Sequence, residues 1–329
     1  MILKRWAAIA PFLLATTLAS PALAAEKISF GVVADPSYDV ALYALTSGKI
    51  SDPNLEFKID AMPFPRLAQA TMTRQFNVTL NGVLGVPLMI EAGIPVKVMG
   101  TSYRHRVGGH VSDLWVMKDS PYQKMSDLKG KKIATASLES QATVSTRQII
   151  GERYNMNAAT IGGDVRWVEL PNPQIEPALQ SGNVDAALIT NVQAYTAANS
   201  GQYRSILHGS AELADMLGGP LPTVLLIAYT DDLEKRPDVY AAFGKLLKDS
   251  SDYANAHLDE VAAAIAPKYK MTPGDLKTWF QTYGSIPFAL SSTDKAVIVK
   301  AWESGAKLGA LKTVPKNADD IIWSRAQKE

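Results

Sequence analysis

The stretch NVTLNGVLGVPLMIEAGIPVKVMG, residues 77–100, shows how this chain is built. Residues 78–81 have the composition of a strand, and residues 87–92 follow as a short helix that Gly93 is placed to stop. Valines two positions apart at residues 96–98 then indicate another strand. A strand, a helix and a second strand in this order predict a βαβ unit within a mainly parallel sheet.

The same alternation extends in both directions along the chain. Further strands are predicted at residues 28–34, 55–61, 114–117, 132–135, 165–170 and 184–190, with helices at 38–46, 66–74, 142–154 and 172–180. From residue 237 onward the pattern is almost entirely helical. Its aromatic stripe of Leu276, Trp279, Phe280 and Tyr283 has helical spacing, which indicates core packing rather than a ligand cage.

Two α/β units followed by a helical region predict two lobes with a ligand cleft between them. We expect the first lobe to comprise residues 25–118 and 222–329, and the second lobe residues 119–221. The predicted crossings lie near residues 119–129 and 218–229. The apolar run TVLLIA, residues 223–228, suits a strand that re-enters the sheet of the first lobe.

The first 24 residues have the three parts of a secretory signal peptide. Lys4 and Arg5 precede an apolar core that contains Pro11, and Ala22-Leu23-Ala24 forms a small-x-small cleavage site. The core is shorter than the roughly 20 apolar residues of a membrane anchor. We therefore expect cleavage near Ala24 and a mature protein in the periplasm.

The cysteine content and the net charge exclude several kinds of functional site and partner. The chain has no cysteine, which excludes a disulfide, a thiol nucleophile, a thiolate metal site and a lipidated cysteine. Its formal charge is +1, and it becomes −1 once Lys4 and Arg5 are removed, because residues 1–24 contain no acidic residue. A near-neutral chain without basic blocks argues against nucleic acid as a partner.

Three segments together resemble one family. They are SDLKGKKIA (residues 126–134), PALQSGNVDAALI (177–189) and the opening stretch (77–100). In order and spacing, these segments resemble those of the ABC-transporter solute-binding proteins of the nitrate, sulfonate and taurine type. That group includes NMT1/THI5-like relatives that bind a thiamine pyrimidine precursor. The resemblance extends over essentially the whole mature chain.

The resemblance implies an α/β, two-lobed periplasmic-binding-protein fold of type II, with a helical C-terminal region. It implies a monomer without a cofactor that closes on a small ligand and then docks to a membrane permease. In parallel sheets, ligands lie outside the carboxyl ends of the strands, where helix N-termini can hold an anion without a formal positive charge.

Polar corners at predicted strand ends supply the candidate ligand contacts. Any one of them could equally be an ordinary helix N-cap, but five corners directed at one cleft favour binding. The candidates are Ser37, Tyr38, Asn81, Gly82, Tyr103, Ser140, Gln141, Thr143, Asn191 and Thr223. Gly82 would let a ligand approach backbone N–H groups, and the tyrosines could cover an apolar or aromatic part of the ligand.

A basic cluster follows the predicted fourth strand. Arg104 and Arg106 could pair with a carboxylate or sulfonate, although a solvated loop is the interpretation we favour from the sequence. His105 and His110 are not expected to bind a metal, because no acidic third ligand is evident nearby and their spacing fits neither a helix nor a strand.

Enzyme motifs are missing from the sequence. We find no G-x-S-x-G, H-E-x-x-H or G-x-x-x-x-G-K-[ST] pattern, so we expect a non-enzymatic receptor for a small organic anion. Two alternatives remain: a receptor for an aromatic or pyrimidine ligand, and a periplasmic hydrolase with a triad assembled from distant residues.

Overall fold

The structure is a computed structural model that describes residues 25–315 and 318–329, without the side chains of residues 191 and 192. The predicted signal peptide lies outside the described residues. The strands are β1 (Glu26–Val33), β2 (Leu55–Met62), β3 (Val78–Gly82), β4 (Val96–His105), β5 (Leu114–Met117), β6 (Lys132–Thr135), β7 (Arg166–Glu169), β8 (Ala186–Leu188), β9 (Tyr203–Leu207), β10 (Pro222–Tyr229) and β11 (Gly284–Ser285).

The α-helices are α1 (Pro36–Ala41), α2 (Tyr43–Thr46), α3 (Phe64–Met72), α4 (Gly85–Glu91), α5 (Gln141–Tyr154), α6 (Asn172–Gln180), α7 (Asn191–Ser200), α8 (Gly209–Leu217), α9 (Thr230–Lys235), α10 (Pro237–Ala256), α11 (Leu258–Ile265), α12 (Pro273–Thr282) and α13 (Asp294–Lys307). The alternation of strands and helices predicted from the sequence is confirmed. The helix predicted at residues 38–46 is instead two short helices that meet at Leu42. No helix within the described ranges is both long and apolar enough to cross a bilayer.

The strands form two sheets. The first has the order β11-β4-β10-β3-β1-β2 and the second the order β7-β6-β8-β5-β9. In the first sheet β2 and β3 run parallel to β1, while β10 is antiparallel to both β3 and β4. The carboxyl ends of β1 to β4 therefore share one edge with the beginning of β10.

The second sheet repeats this arrangement. β7 and β8 run parallel to β6, and β5 is antiparallel to β8 and β9. The carboxyl ends of β6 to β9 consequently share one edge with the beginning of β5. Each sheet thus presents the strand ends at which ligands bind in open α/β sheets.

The side chains of strand β10 are buried on both faces of the first sheet. Leu226 and Ala228 pack in one apolar cluster, while Leu225 and Ile227 on the opposite face pack in another. Alternate side chains of a strand point to opposite faces, so a continuous apolar run requires cover on both sides. The prediction that TVLLIA re-enters the first sheet is confirmed, because β10 lies between β3 and β4.

The passage from the first sheet to the second comes earlier than expected. Strand β5, which the predicted boundary after residue 118 assigns to the first lobe, instead hydrogen-bonds with β8 and β9. The chain therefore leaves the first sheet after His105 and joins the second at Leu114. Strand periodicity locates β5, but it does not indicate which sheet an antiparallel strand joins. The lobe limits themselves stay predictions.

Candidate ligand-binding site

The carboxyl edges of the two sheets approach each other around Trp279. The indole N–H of Trp279 donates a hydrogen bond of 2.8 Å to the Ser37 hydroxyl, which follows β1. The ring of Tyr195, in α7 of the second sheet's layer, packs edge-on against the same indole at 6.3 Å. One side chain of α12 thus contacts both a first-sheet corner and a second-sheet helix.

This contact closes the boundary between the two sheets at that point. The Tyr195 ring also lies 5.6 Å from the ring of Tyr283, and its hydroxyl donates a 2.9 Å hydrogen bond to Asp275. Trp279 and Tyr283 are buried, as the helical spacing predicts. Their position at the boundary was not predicted, because the spacing reveals burial but not the partner.

The corner after β1 is organised by Asp35. Its carboxylate accepts a 2.8 Å hydrogen bond from the backbone N–H of Ser37 and so caps α1. Tyr38 is buried, and its hydroxyl accepts a 3.1 Å hydrogen bond from Ser102. Burial raises the pKa of Asp35 despite the hydrogen bonds from Ser37 that lower it. Ser37 and Tyr38 are therefore largely engaged by protein, and a ligand contact for them stays a prediction.

Gly82, Tyr103 and Thr223 are brought together by strand pairing. Val224 pairs with both Gly82 and Tyr103, and the Thr223 hydroxyl lies 3.4 Å from the Tyr103 carbonyl oxygen to which it donates. A Cβ atom added to Gly82 would have the Thr223 carbonyl oxygen, at 3.9 Å, as its nearest neighbour. Protein packing therefore does not require glycine at this position.

The side-chain amide of Asn81 already has a hydrogen-bond partner within the protein. Its side-chain amide donates to the sulfur of Met89 at 2.9 Å. A Cβ added to Gly85, at the start of α4, would lie 2.2 Å from the Asn81 amide oxygen. Gly85, which the sequence did not single out, thus makes room for the Asn81 side chain.

The corner before α5 contains Ser140, Gln141 and Thr143. The Ser140 hydroxyl accepts from the Thr143 backbone N–H at 3.3 Å, so Ser140 is the N-cap of the helix. Thr143 is buried and its hydroxyl lies 2.5 Å from that of Thr135. Both residues therefore have local structural roles, as the capping alternative predicts.

Gln141 differs from its neighbours. Its amide nitrogen donates to the Ser145 hydroxyl at 2.8 Å, but its buried amide oxygen has no hydrogen-bond partner among the described residues. Reversing the amide would exchange the two atoms and leave the N–H₂ group facing the same unpaired position. Either orientation leaves one buried polar atom for another molecule to satisfy.

Asn191 begins α7 after β8, on the carboxyl edge of the second sheet. Its side chain lies outside the described part of the chain, so its contact with a ligand stays a prediction. A residue at the boundary of the two sheets that the sequence did not indicate is Tyr195, one turn farther along α7. No motif marks Tyr195, because its partners lie in α12.

The first half of the basic cluster, Arg104 and His105, is not in a solvated loop, contrary to the interpretation favoured from the sequence. Strand β4 runs through His105, and Arg104 forms a buried ion pair of 2.5 Å with Asp294. His105 is buried, which lowers its pKa to about 4. Partners from β10, β11 and α13 keep this polar segment in the sheet.

Arg106 is the arginine of this cluster whose charge is not neutralised by a carboxylate of the described residues. It is half-buried, and its Nε donates to the Gly284 carbonyl oxygen at 3.3 Å. Within the described residues, no carboxylate lies at ion-pair distance from its guanidinium. Tyr103 lies within the electrostatic influence of both Arg106 and Asp35, and burial raises its pKa.

Two surface concavities lie elsewhere on the first sheet's layer. One of about 450 Å³ lies beside β2 and α3, where Lys58, Asp60 and Arg66 contribute to its lining. Another of about 280 Å³ lies beside β11 and α10 and includes Arg104 and Arg106. Neither is lined by the ten candidates from the sequence.

The prediction that no acidic ligand lies near His110 is wrong. Asp113, three residues along, is buried, and one of its carboxylate oxygens lies 2.8 Å from Nδ1 of His110. Nδ1 of His208 lies 3.3 Å from the same oxygen. His105, by contrast, does not belong to this group of potential ligand atoms.

Comparison with solved structures defines the class of fold. The aliphatic sulphonate binding protein SsuA from Escherichia coli superposes with a TM-score of 0.72 at 15% identity, over 92% of this chain and 94% of that one. The alkanesulfonate-binding protein SsuA from Xanthomonas axonopodis, bound to MOPS, gives 0.65 at 16% identity, over 92% and 99%. The CA3427 gene product of Candida albicans gives 0.66 at 13% identity, over 92% and 98%.

These similarities show a periplasmic-binding-protein fold, which confirms the predicted fold class. The NMT1/THI5-like family model matches residues 65–261, more than half of the chain. The chain therefore belongs to the NMT1/THI5-like family, in agreement with the resemblance found in the sequence. No curated protein sequence matches the chain.

Proposed function

We propose that this protein is the periplasmic solute-binding receptor of an ABC importer. It captures a small organic anion, such as a sulfonate, taurine or a small carboxylate, or a nitrate-like anion, between the carboxyl edges of its two sheets. A hinge motion closes the lobes on the ligand, and the closed monomer then docks to its permease in the inner membrane. The mechanism requires no covalent step and no cofactor.

The observation that carries this proposal is the unpaired atom of Gln141. It is buried at the start of α5, on the carboxyl edge of the second sheet, and has no partner among the described residues. An unsatisfied buried polar group costs about 1–3 kcal/mol. A ligand that reaches this atom removes that cost, so closure over a ligand is favoured relative to closure without one.

The charges near β4 support an anionic ligand group. Arg106 is half-buried and without an acidic partner in the described structure, and a guanidinium in that state favours a carboxylate or sulfonate. Asp35 lies at the other corner, after β1. Both charges act on Tyr103, so a ligand beside Tyr103 would have its anionic end toward Arg106 and an amine toward Asp35, which is the charge pattern of an aminosulfonate such as taurine.

A second candidate ligand is an aromatic heterocycle of the pyrimidine type. The observation that favours it is the aromatic group of Tyr195, Trp279 and Tyr283 at the boundary of the two sheets. When the lobes separate, the Tyr195 ring would leave an aromatic surface on α12 on which a flat ligand could stack. The two candidates predict different ligand classes in the same assay.

The hydrolase alternative receives no such support. Asp113 orients His110 as an acid orients the base of a catalytic triad. Three serines are near in the chain to this group, Ser112, Ser205 and Ser210. The buried hydroxyls of Ser112 and Ser210 make no hydrogen bond within the described residues, while the Ser205 hydroxyl donates to the Leu207 carbonyl oxygen and hydrogen-bonds with Asp113 rather than with a histidine. A nucleophile activated by a histidine is therefore not assembled in the described structure.

The test is a ligand panel with protein stripped of ligand by unfolding, dialysis and refolding. Sulfonates, taurine, nitrate, small carboxylates, aromatic acids and pyrimidines are compared by thermal shift and by calorimetric titration. We expect one class of organic anion to raise the melting temperature. A shift with pyrimidines alone would establish the second candidate, and turnover of an ester or amide without any shift would overturn the receptor proposal.

The variant Gln141→Ala locates the site. Loss of a hydrogen bond to a charged group, about 1.5–3 kcal/mol, predicts a loss of affinity of about 10-fold to 150-fold. Gln69→Ala, an exposed glutamine in the second half of α3, away from the carboxyl edges, is the matched control and should bind as the unmodified protein does. Equal affinities for the two variants would remove Gln141 from the site.

A further inference from the structure

Three potential metal ligands meet where the two sheets are connected. His110 and Asp113 lie on the segment between β4 and β5, and His208 begins the return segment between β9 and β10. One oxygen of the Asp113 carboxylate, Oδ2, lies 2.8 Å from Nδ1 of His110 and 3.3 Å from Nδ1 of His208. The other oxygen accepts a 3.0 Å hydrogen bond from the backbone N–H of Gly209.

We propose that His110, Asp113 and His208 bind a divalent transition-metal ion, with Zn²⁺ the best match. All three ligand atoms lie within 4.8 Å of one another. A tetrahedral ion with bonds of about 2.0–2.1 Å holds its ligand atoms about 3.3 Å apart. The distance from Asp113 to His208 already has this value, and the distance from Asp113 to His110 would need to open by only about half an ångström.

The donor set selects the class of ion. Two imidazole nitrogens and one carboxylate oxygen suit zinc and its neighbours, whereas calcium and magnesium prefer oxygen ligands alone. The His208 side chain is 63% exposed and that of His110 38% exposed. An ion could therefore enter from solvent and keep a water molecule as its fourth ligand.

The Asp113 carboxylate is held in place by a backbone hydrogen bond, as metal ligands usually are. Its side chain is 1% exposed, and its second oxygen is fixed by Gly209. A Cβ on Gly209 would lie 2.0 Å from the Ser112 carbonyl oxygen, so glycine is what allows the two connecting segments to approach this closely. Such outer contacts orient a ligand and are a regular part of metal sites.

The surroundings contain further polar atoms that the protein leaves unpaired. Within the described residues, buried atoms without a hydrogen-bond partner include His105 Nδ1, Ser112 Oγ, Trp115 Nε1 and Ser210 Oγ. The ring of Trp115 lies 5.5 Å from that of His110, and Ser210 follows Gly209 directly. Buried polar groups normally find a partner, and water molecules ordered around a bound ion would supply one here.

Protonation of the two histidines competes with metal binding. Burial alone would raise the pKa of Asp113, but hydrogen bonds from His110 and His208 outweigh it and hold the pKa below its usual range. The hydrogen bond to Asp113 raises the pKa of His208. A metal must displace the proton of each histidine, so we expect zinc affinity to rise with pH.

The test uses the full mature chain without an affinity tag, freed of metal with a chelator. Calorimetric titration with zinc chloride should give about one ion per chain with a Kd in the micromolar range or below, well under the millimolar values of adventitious surface sites. Cobalt in place of zinc should give the intense visible bands of a four-coordinate ion.

Two variants and one control make the test specific. Loss of one ligand in His208→Ala or His110→Ala should weaken zinc binding at least about tenfold. Both side chains are partly exposed, so these variants should fold even if Asp113→Asn does not. The control is His257→Ala, which removes an exposed histidine stacked on Tyr253.

Unchanged zinc affinity in both histidine variants would overturn the proposal. So would an equal loss in His257→Ala, which would indicate unspecific surface binding, or no detectable binding at about 100 µM zinc, since a site of this donor set should bind more tightly. The proposal does not depend on the transported ligand, so failure of the ligand panel leaves it unaffected.

Discussion

Replacing Gly82 with alanine should separate ligand binding from folding. Gly82 ends β3, and its backbone φ is not among the positive values found at eight other glycines. An added Cβ would have its nearest neighbour at 3.9 Å, an ordinary van der Waals distance. Alanine should therefore fit without strain in the protein itself.

Gly82→Ala should raise the stability of the fold but lower the affinity for the ligand. A glycine-to-alanine change without strain stabilises the folded state by about 0.4–1 kcal/mol, because the unfolded chain loses freedom. A ligand hydrogen-bonded to the backbone at Gly82 would meet the new methyl group. Loss of one hydrogen bond to a charged group, about 1.5–3 kcal/mol, predicts an affinity about 10-fold to 150-fold lower.

Urea unfolding and calorimetric titration with the best ligand of the panel measure the two effects. Gly108→Ala is the neutral control, since nothing lies within 4 Å of an added Cβ there. Gly100→Ala is the opposite control, because its Cβ would lie 2.8 Å from the Phe288 carbonyl oxygen. Overpacking there should cost about 1–3 kcal/mol of unfolding free energy.

Two results would refute this reasoning. If Gly82→Ala binds the ligand as tightly as Gly108→Ala does, the ligand does not contact this corner. If Gly82→Ala loses more than about 1 kcal/mol of stability, which is the opposite sign from that expected for an unstrained site, the space around Gly82 is not as open as the geometry indicates.

Three further perturbations test other parts of the structure. Asp294→Ala removes the fully buried partner of Arg104 and leaves only the partly exposed carboxylate of Glu329, 2.7 Å from the guanidinium, so it should cost up to about 3–5 kcal/mol in urea unfolding; a loss below about 1 kcal/mol, the value of a surface pair, would contradict this. Tyr195→Phe removes the 2.9 Å hydrogen bond to Asp275 between the two sheets' layers and should lower ligand affinity about threefold to tenfold; an unchanged Kd would show that this contact does not assist closure. Burial lowers the pKa of His105 to about 4, so its contribution to stability is complete above pH 6.5, the ordinary value, and is lost as the pH falls toward 4. The unmodified protein should therefore lose up to about 3 kcal/mol more than His105→Gln between these pH values, and parallel pH profiles would argue against a buried neutral imidazole.

The site was partly predictable from the sequence. Gly82, Tyr103 and Thr223 were chosen as strand-end residues, and pairing of β10 with β3 and β4 brings them together. Gln141 was chosen as a polar residue at a helix start, and its unpaired amide atom lies there. The hydrogen bonds that occupy Ser37 and Tyr38 were not predictable, because their partners Trp279 and Ser102 are far away in the chain.

The sequence by itself determined the α/β class, most strands of the two sheets and the family, because the period of apolar residues and the residues that stop helices are local properties. It did not predict β9 or β11. The tertiary structure alone decided which sheet β5 joins, and why Arg104 lies in a strand rather than in a loop: its charge is neutralised by Asp294, 190 positions away. It also decided that His110 and His208 share one buried carboxylate. Such contacts depend on which segments the folded chain brings together, and no local pattern in the sequence records that.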